Sequence, residues 1–145
     1  MNYKCKNRQK KKITNFSELT SPHFAKIVCN NDGFAMYFSR STIPFIRDEN
    51  QKNDPSFLKD LYFKHVGIYA YTTEALEKIA LLKDKECPYE EAEKLEQLKF
   101  LYYGISIKAH ETDQNVIGID LPSDLIKAEQ LALENLNKRI DGETI

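Results

Sequence analysis

Residues 63–71, FKHVGIYAY, alternate two kinds of side chain. One set is Phe63, His65, Gly67, Tyr69 and Tyr71; the other is Lys64, Val66, Ile68 and Ala70. On an extended strand, neighbouring side chains point to opposite faces. The lysine set is small and aliphatic after its first residue, fit for packing under helices. The other face carries His65 and Tyr69 four residues apart with a side-chain-free glycine between them. By its residues alone, that face is a mixed core around a satisfied histidine or the floor of a pocket.

Downstream of this strand, Thr72 or Thr73 caps a helix over EALEKIALLK (74–83). A second helix begins near Pro88, favoured at a first helical position, and runs to Gly104, a natural terminator. Ala92, Leu95, Leu98 and Tyr102 recur along it at helical spacing. Glu93, Glu96 and Gln97 then stand at i, i+3 and i+4 on one side. That side is a hydrated face, or a set of acceptors and an amide suited to a polyhydroxylated ligand. ISIKAHE (105–111) alternates as a short strand, NVIGID (115–120) ends at an acid, and a last helix covers 123–137. Asp120, just before Pro122, is a capping residue or an oxygen ligand for a hard cation such as Mg²⁺.

Upstream, AKIVCNNDGFAMYFSR (25–40) is a hairpin, its Asp-Gly supplying the positive φ angles of a tight primed turn. Arg40 leaves that hairpin just before a long polar loop (44–60) interrupted by Pro44 and Pro55. An arginine there is a surface residue or the partner of a carboxylate or phosphate. The order of elements is α/β with a mixed sheet.

Bulk properties bound the function. At 145 residues, 41% hydrophobic and 30% charged, the chain is one globular domain or a piece of one. It has no apolar run of bilayer length and no apolar signal core, so a cytoplasmic location without membrane contact is expected. Three widely spaced cysteines without a C-x-x-C pair read as reduced thiols. The net charge of −1 hides six basic and no acidic residues within 1–12, leaving 15 basic against 22 acidic elsewhere. Residues 1–14 are read as a basic, disordered leader ahead of a domain at 15–145. The leader has no motif to place a base, and no nucleic-acid partner is assigned. The sequence holds no H-E-x-x-H, no phosphate loop and no defensible Ser-His-Asp or Cys-His spacing.

Taken together, YFSRSTIP (37–44), FKHVGIYAY (63–71), KLEQLKFLYYG (94–104) and GIDLPSDL (118–125) resemble, in order and spacing, the 3-deoxy-manno-octulosonate (Kdo) cytidylyltransferases of lipopolysaccharide assembly. The resemblance spans about residues 15–135. It implies a nucleotide-diphospho-sugar transferase, Rossmann-like fold with a mostly parallel sheet, usually as a homodimer. It also implies transfer of CMP from CTP to Kdo with release of pyrophosphate, using Mg²⁺. Carried over by motif, Arg40 pairs with the sugar-acid carboxylate, His65 and Tyr69 line the sugar pocket, Glu96 and Gln97 hold its hydroxyls, and Asp120 is a Mg²⁺ ligand. Arg40 and Asp120 are thus the residues implied in catalysis.

The family's PAR…SxRxxxKPL-type nucleotide loop and its GDEP acid do not occur in these 145 residues. The expectation is therefore a sugar-binding and dimer-forming half, truncated or split from its CTP-binding half, which a separate chain would supply. Leu121 replaces a common Thr, and Ile46 stands where an acid is frequent. Two other readings remain open: a non-catalytic module for binding acidic sugars or for dimerisation, and a cytidylyltransferase for another acidic sugar such as a sialic acid.

Overall fold

A computed structural model describes residues 4–14, 16–52, 54, 58, 60–113 and 122–140. The chain divides into two compact units, Met1–Asp113 and Gln114–Ile145. In the first, five strands form one sheet in the order β3-β2-β4-β1-β5. They are β1 (Lys4–Lys12), β2 (Lys26–Cys29), β3 (Ala35–Ser39), β4 (Phe63–Val66) and β5 (Ser106–Glu111). Short helices α1 (Phe16–Thr20), α2 (Glu49–Lys52), α3 (Thr73–Ala80), α4 (Pro88–Glu93) and α5 (Gln97–Tyr102) lie between them. The second unit contains α6 (Pro122–Ile140).

Among the described residues one ladder, β1 with β5, is parallel, whereas β1–β4, β2–β3 and β2–β4 are antiparallel. Within this chain the sheet is therefore mixed and largely antiparallel, not mostly parallel. The short β2–β3 hairpin permits only antiparallel pairing, whereas the parallel pair, β1 and β5, is joined through most of the chain.

The basic N-terminal stretch overturns the expectation of a disordered leader. Its backbone forms β1, hydrogen-bonded on both sides inside the sheet. The chain beyond β1 supplies its counter-charges and packing surface. Lys12 Nζ lies 2.9 Å from Asp60 and 3.5 Å from Glu111, and Lys10 Nζ sits 3.7 Å from the Phe63 ring centroid. A run of like charges reads as solvated only while its tertiary partners are out of view.

The hairpin forms as expected, with a different turn. Gly33 N–H donates to the Asn30 carbonyl, Asn30 N–H to the Phe34 carbonyl, and Gly33 has φ +76°. This is a longer loop with a glycine bulge rather than a two-residue primed turn. Gly33 is required twice over. Its φ favours glycine, and a Cβ would come within 3.3 Å of the Ala109 carbonyl oxygen. That approach matters because Ala109 N–H donates to the Gly33 carbonyl and Phe34 bridges to Lys108, so the hairpin end meets β5 and curls the sheet.

The main core lies beneath the region where the sequence places the pocket. Ile27, Phe38, Leu95, Leu98, Phe100, Ile105, Ile107 and Ala109 are buried together, the last three spaced two apart leading into and along β5. A smaller cluster of Ile13, Leu19, Ile46 and Tyr62 anchors the loop after β3. Ile46 thus fills an apolar seat, which accounts for its departure from an acid. Tyr62 Oη donates to the Pro44 carbonyl at 2.9 Å. Leu121 lies outside the described residues.

Candidate functional site

The strand of the opening pattern is shorter than expected. β4 ends at Val66, and Ile68 N–H donates back to the Val66 carbonyl at 2.8 Å, turning the chain at Gly67. His65 and Tyr69 nevertheless remain neighbours, their ring centroids 5.3 Å apart. Beneath them, Phe38 meets His65 edge-on at 5.4 Å; beyond, Tyr69 stacks on Tyr71 at 6.2 Å and Tyr71 meets Phe100 edge-on at 6.5 Å. Five rings from β3, β4, the segment after it and α5 thus form one continuous aromatic wall. Thr72 ends this segment by capping α3, its Oγ1 accepting from Ala75 N–H.

The opposite wall is built by a helix that breaks. The single helix expected from Pro88 to Gly104 is two helices, α4 and α5, separated at Lys94–Glu96. Lys94 adopts φ +52°, left-handed for a residue with a Cβ, and its N–H donates to the Glu90 carbonyl. Lys94 Nζ pairs with Glu91, and Lys99 Nζ reaches Glu90 at 2.8 Å from the far side of the break. Gly104 at φ +78° closes α5, with Ile105 N–H reaching the Phe100 carbonyl at 2.8 Å.

The break corrects the grouping of Glu93, Glu96 and Gln97. Glu93 turns away to the end of β3. It accepts from Ser39 Oγ at 2.5 Å and from Arg40 N–H at 2.8 Å. Glu96 and Gln97 instead face the aromatic wall. Between the walls opens a shallow cavity of about 280 Å³ lined by His65, Tyr69, Lys94, Leu95, Glu96 and Gln97. That is near the small end of the roughly 300–1,000 Å³ of ligand pockets. Its chemistry is a carboxylate, an amide, an imidazole, a phenol and an ammonium on an apolar bed. Such a set can exchange hydrogen bonds with several hydroxyls at once. A second hollow, along α6 at Glu129, Ala132, Leu133 and Leu136, has no comparable polar set.

Four of the six residues singled out from the sequence, His65, Tyr69, Glu96 and Gln97, therefore meet in one cavity. Arg40 does not line it but is bonded to Glu93, the residue next to Lys94: its Nε donates to the Glu93 carbonyl and its Nη1 to the Pro22 carbonyl. Asp120 lies outside the described residues. Among the described residues no three His, Cys, Asp or Glu side chains gather as metal ligands.

The sequence reading missed Lys26, which is fully buried with Nζ donating to the carbonyls of Ser21, Phe24 and Arg40 at 2.8, 2.7 and 2.5 Å. Burial pushes its pKa below that of an ordinary lysine, partly offset by Glu93. A lysine interrupting an apolar strand run was the available signal.

With this geometry in hand, comparison with known proteins places the chain. A family model described as cytidylyltransferase matches residues 2–108, and the chain belongs to that family. Its curated relatives include 3-deoxy-manno-octulosonate cytidylyltransferases of Porphyromonas gingivalis, 43% identical over 78% of this chain and 43% of theirs, and of Geotalea daltonii, 43% identical over 90% of this chain and 50% of theirs. A solved structure titled as CMP:2-keto-3-deoxy-manno-octonic acid synthetase complexed with CTP matches with TM-score 0.75 and 33% identity. That match covers 93% of this chain and 50% of the solved one. The chain spans about half the length of the curated relatives it matches. The fold is therefore the α/β, mixed-sheet nucleotide-sugar transferase fold. The match from residue 2 also brings β1 within the family's extent.

Proposed function

We propose that this chain provides the sugar-acid site for transfer of CMP from CTP to Kdo, giving CMP-Kdo and pyrophosphate. One observation carries the reading: His65, Tyr69, Glu96 and Gln97, separate in sequence, share one small polar cavity. In it, the Glu96 carboxylate and the Gln97 amide hold sugar hydroxyls, while His65 and Tyr69 flank the ring; Arg40, outside the lining but bonded to Glu93 next to Lys94, pairs with the sugar carboxylate. These residues fix the sugar so that its anomeric hydroxyl attacks the α-phosphorus in line, a reaction in which positioning supplies much of the rate. The chain spans about half the relatives' length, so the reading assigns it the sugar-acid part of the site and not the whole of it. A homodimer and a cytoplasmic setting belong to the same proposal.

Mg²⁺, when bound, would neutralise charge on the triphosphate, with Asp120 as one carboxylate from this chain. The described residues do not by themselves make a metal centre.

The test is pyrophosphate release with CTP, Mg²⁺ and Kdo, for the chain alone and mixed with a separately expressed nucleotide-binding half of an intact relative. Turnover in the mixture alone, lost on Asp120→Ala, is the expected result. Kdo binding without turnover in either arm would favour the non-catalytic module. A parallel titration that prefers a sialic acid over Kdo would replace the substrate.

A further inference from the structure

Arg40 is held at four points. Its N–H donates to the Glu93 carboxylate at 2.8 Å and its carbonyl accepts from Lys26 Nζ at 2.5 Å. Its Nε donates to the Glu93 carbonyl and its Nη1 to the Pro22 carbonyl, at 2.8 and 2.9 Å. Nη2 is the guanidinium nitrogen left without a hydrogen bond among the described residues. Lys26, fully buried, spends all three of its N–H donors on carbonyls, one of them Arg40's. Glu93 has both oxygens engaged at the end of β3, through Ser39 Oγ and Arg40 N–H. Neither Lys26 nor Glu93 lines the cavity. Yet Glu93 precedes Lys94, the residue at which the chain turns to present Glu96 and Gln97.

We propose that Lys26 and Glu93 are positioning residues: they clamp the Arg40 backbone from both sides and so set its guanidinium edge for an anionic ligand. The proposal rests on reading Arg40 as the partner of the sugar-acid carboxylate, and it adds the groups that orient it. A free arginine loses its rotamer freedom on binding; one already pinned through its backbone, Nε and Nη1 does so before the ligand arrives. The same clamp ties the end of β3 to the break between α4 and α5. One polar network therefore sets both the cation and the hydroxyl-binding wall.

Two readouts on the full chain test this. The first is solvent protection of the Arg40 Nε–H resonance in ¹H–¹⁵N spectra, assigned with Arg40→Lys. Protection is expected to fall about tenfold in Glu93→Ala and in Lys26→Met, and to survive in part in Glu93→Gln, which keeps an acceptor. Unchanged protection in Glu93→Ala overturns the proposal, whether or not Lys26→Met folds by far-UV circular dichroism. The second is titration with Kdo. Its Kd should rise roughly tenfold in Glu93→Ala, the scale of one misaligned charge-assisted hydrogen bond, and recover partly in Glu93→Gln. A loosened Arg40 with unchanged Kdo affinity also overturns the proposal. If the wild type binds no Kdo while Arg40 responds as expected, the clamp stands and the sugar-acid reading fails.

Discussion

The two walls of the cavity are made in different ways. His65 and Tyr69 sit on a strand and its turned continuation, backed by Tyr71 of that continuation and by rings from β3 and α5, so that wall is held by apolar packing. Glu96 and Gln97 follow a broken helix whose left-handed Lys94, cross-break ion pair and buried polar clamp do the holding. An aromatic wall depends on volume below it, whereas a polar wall depends on where the backbone turns. The first survives a strand that stops at Val66 instead of running on to Tyr71, because contact between rings persists across the turn at Gly67. The second would vanish had the helix continued, since Glu93 would then project beside Glu96 and Gln97 as the sequence spacing suggests.

The sharpest way to strain that comparison is Phe38→Ala. Phe38 is fully buried and supports His65 edge-on, and the change is expected to cost about 3–5 kcal/mol in urea unfolding. Leu98→Ala, beneath the other wall at 2% exposure, should cost about 2–5 kcal/mol. If Leu98→Ala proves the costlier of the two, the polar wall depends on packing more than its hydrogen bonds suggest. Thr72→Ala removes the cap that ends the aromatic segment and should cost about 1 kcal/mol, read as a lowered Tm. Lys94→Gly acts in the opposite direction. It relieves the left-handed backbone and is expected to stabilise by roughly 0.5–1 kcal/mol. A loss of stability there would mean that the lysine side chain, through its pairing with Glu91, outweighs its backbone strain.

The smallest effect is set by pH. The hydrogen bond with Glu90 raises the Lys99 pKa above its ordinary 10.5. Its contribution to stability is therefore fully present below pH 10.5 and is lost as pH rises through the folded value. Melting curves of Lys99→Met and wild type should differ at neutral pH and converge in strongly alkaline solution. A constant gap would assign the effect to the apolar stem instead of the ion pair.

How much of this was legible in the sequence varies by region. The hairpin at 25–40, the strand over 105–111, the Thr72 cap and the termination at Gly104 follow from local chemistry: turn residues, alternation, a side-chain acceptor and a residue free to take positive φ. The last helix agrees as well, with α6 running Pro122–Ile140. Of the candidate site, His65, Tyr69, Glu96 and Gln97 were nameable because motif order survives without coordinates. Arg40 was nameable too, though not its bonds to backbone carbonyls. Among the described residues no helix is long and apolar enough to cross a membrane.

The sequence by itself determined which segments turn, alternate or cap, because those preferences act over a few residues. Only the tertiary structure decided that a basic run becomes β1 inside the sheet. Its partners Asp60, Phe63 and Glu111 lie far along the chain, and local charge counting cannot see them. The same holds for the break at Lys94. Helical propensity favours continuing, and burying Leu95, Leu98 and Phe100 while Glu93 bonds to Ser39 and Arg40 outweighs it. Non-local burial and hydrogen bonding, each larger than a single residue's propensity, placed both walls of the cavity.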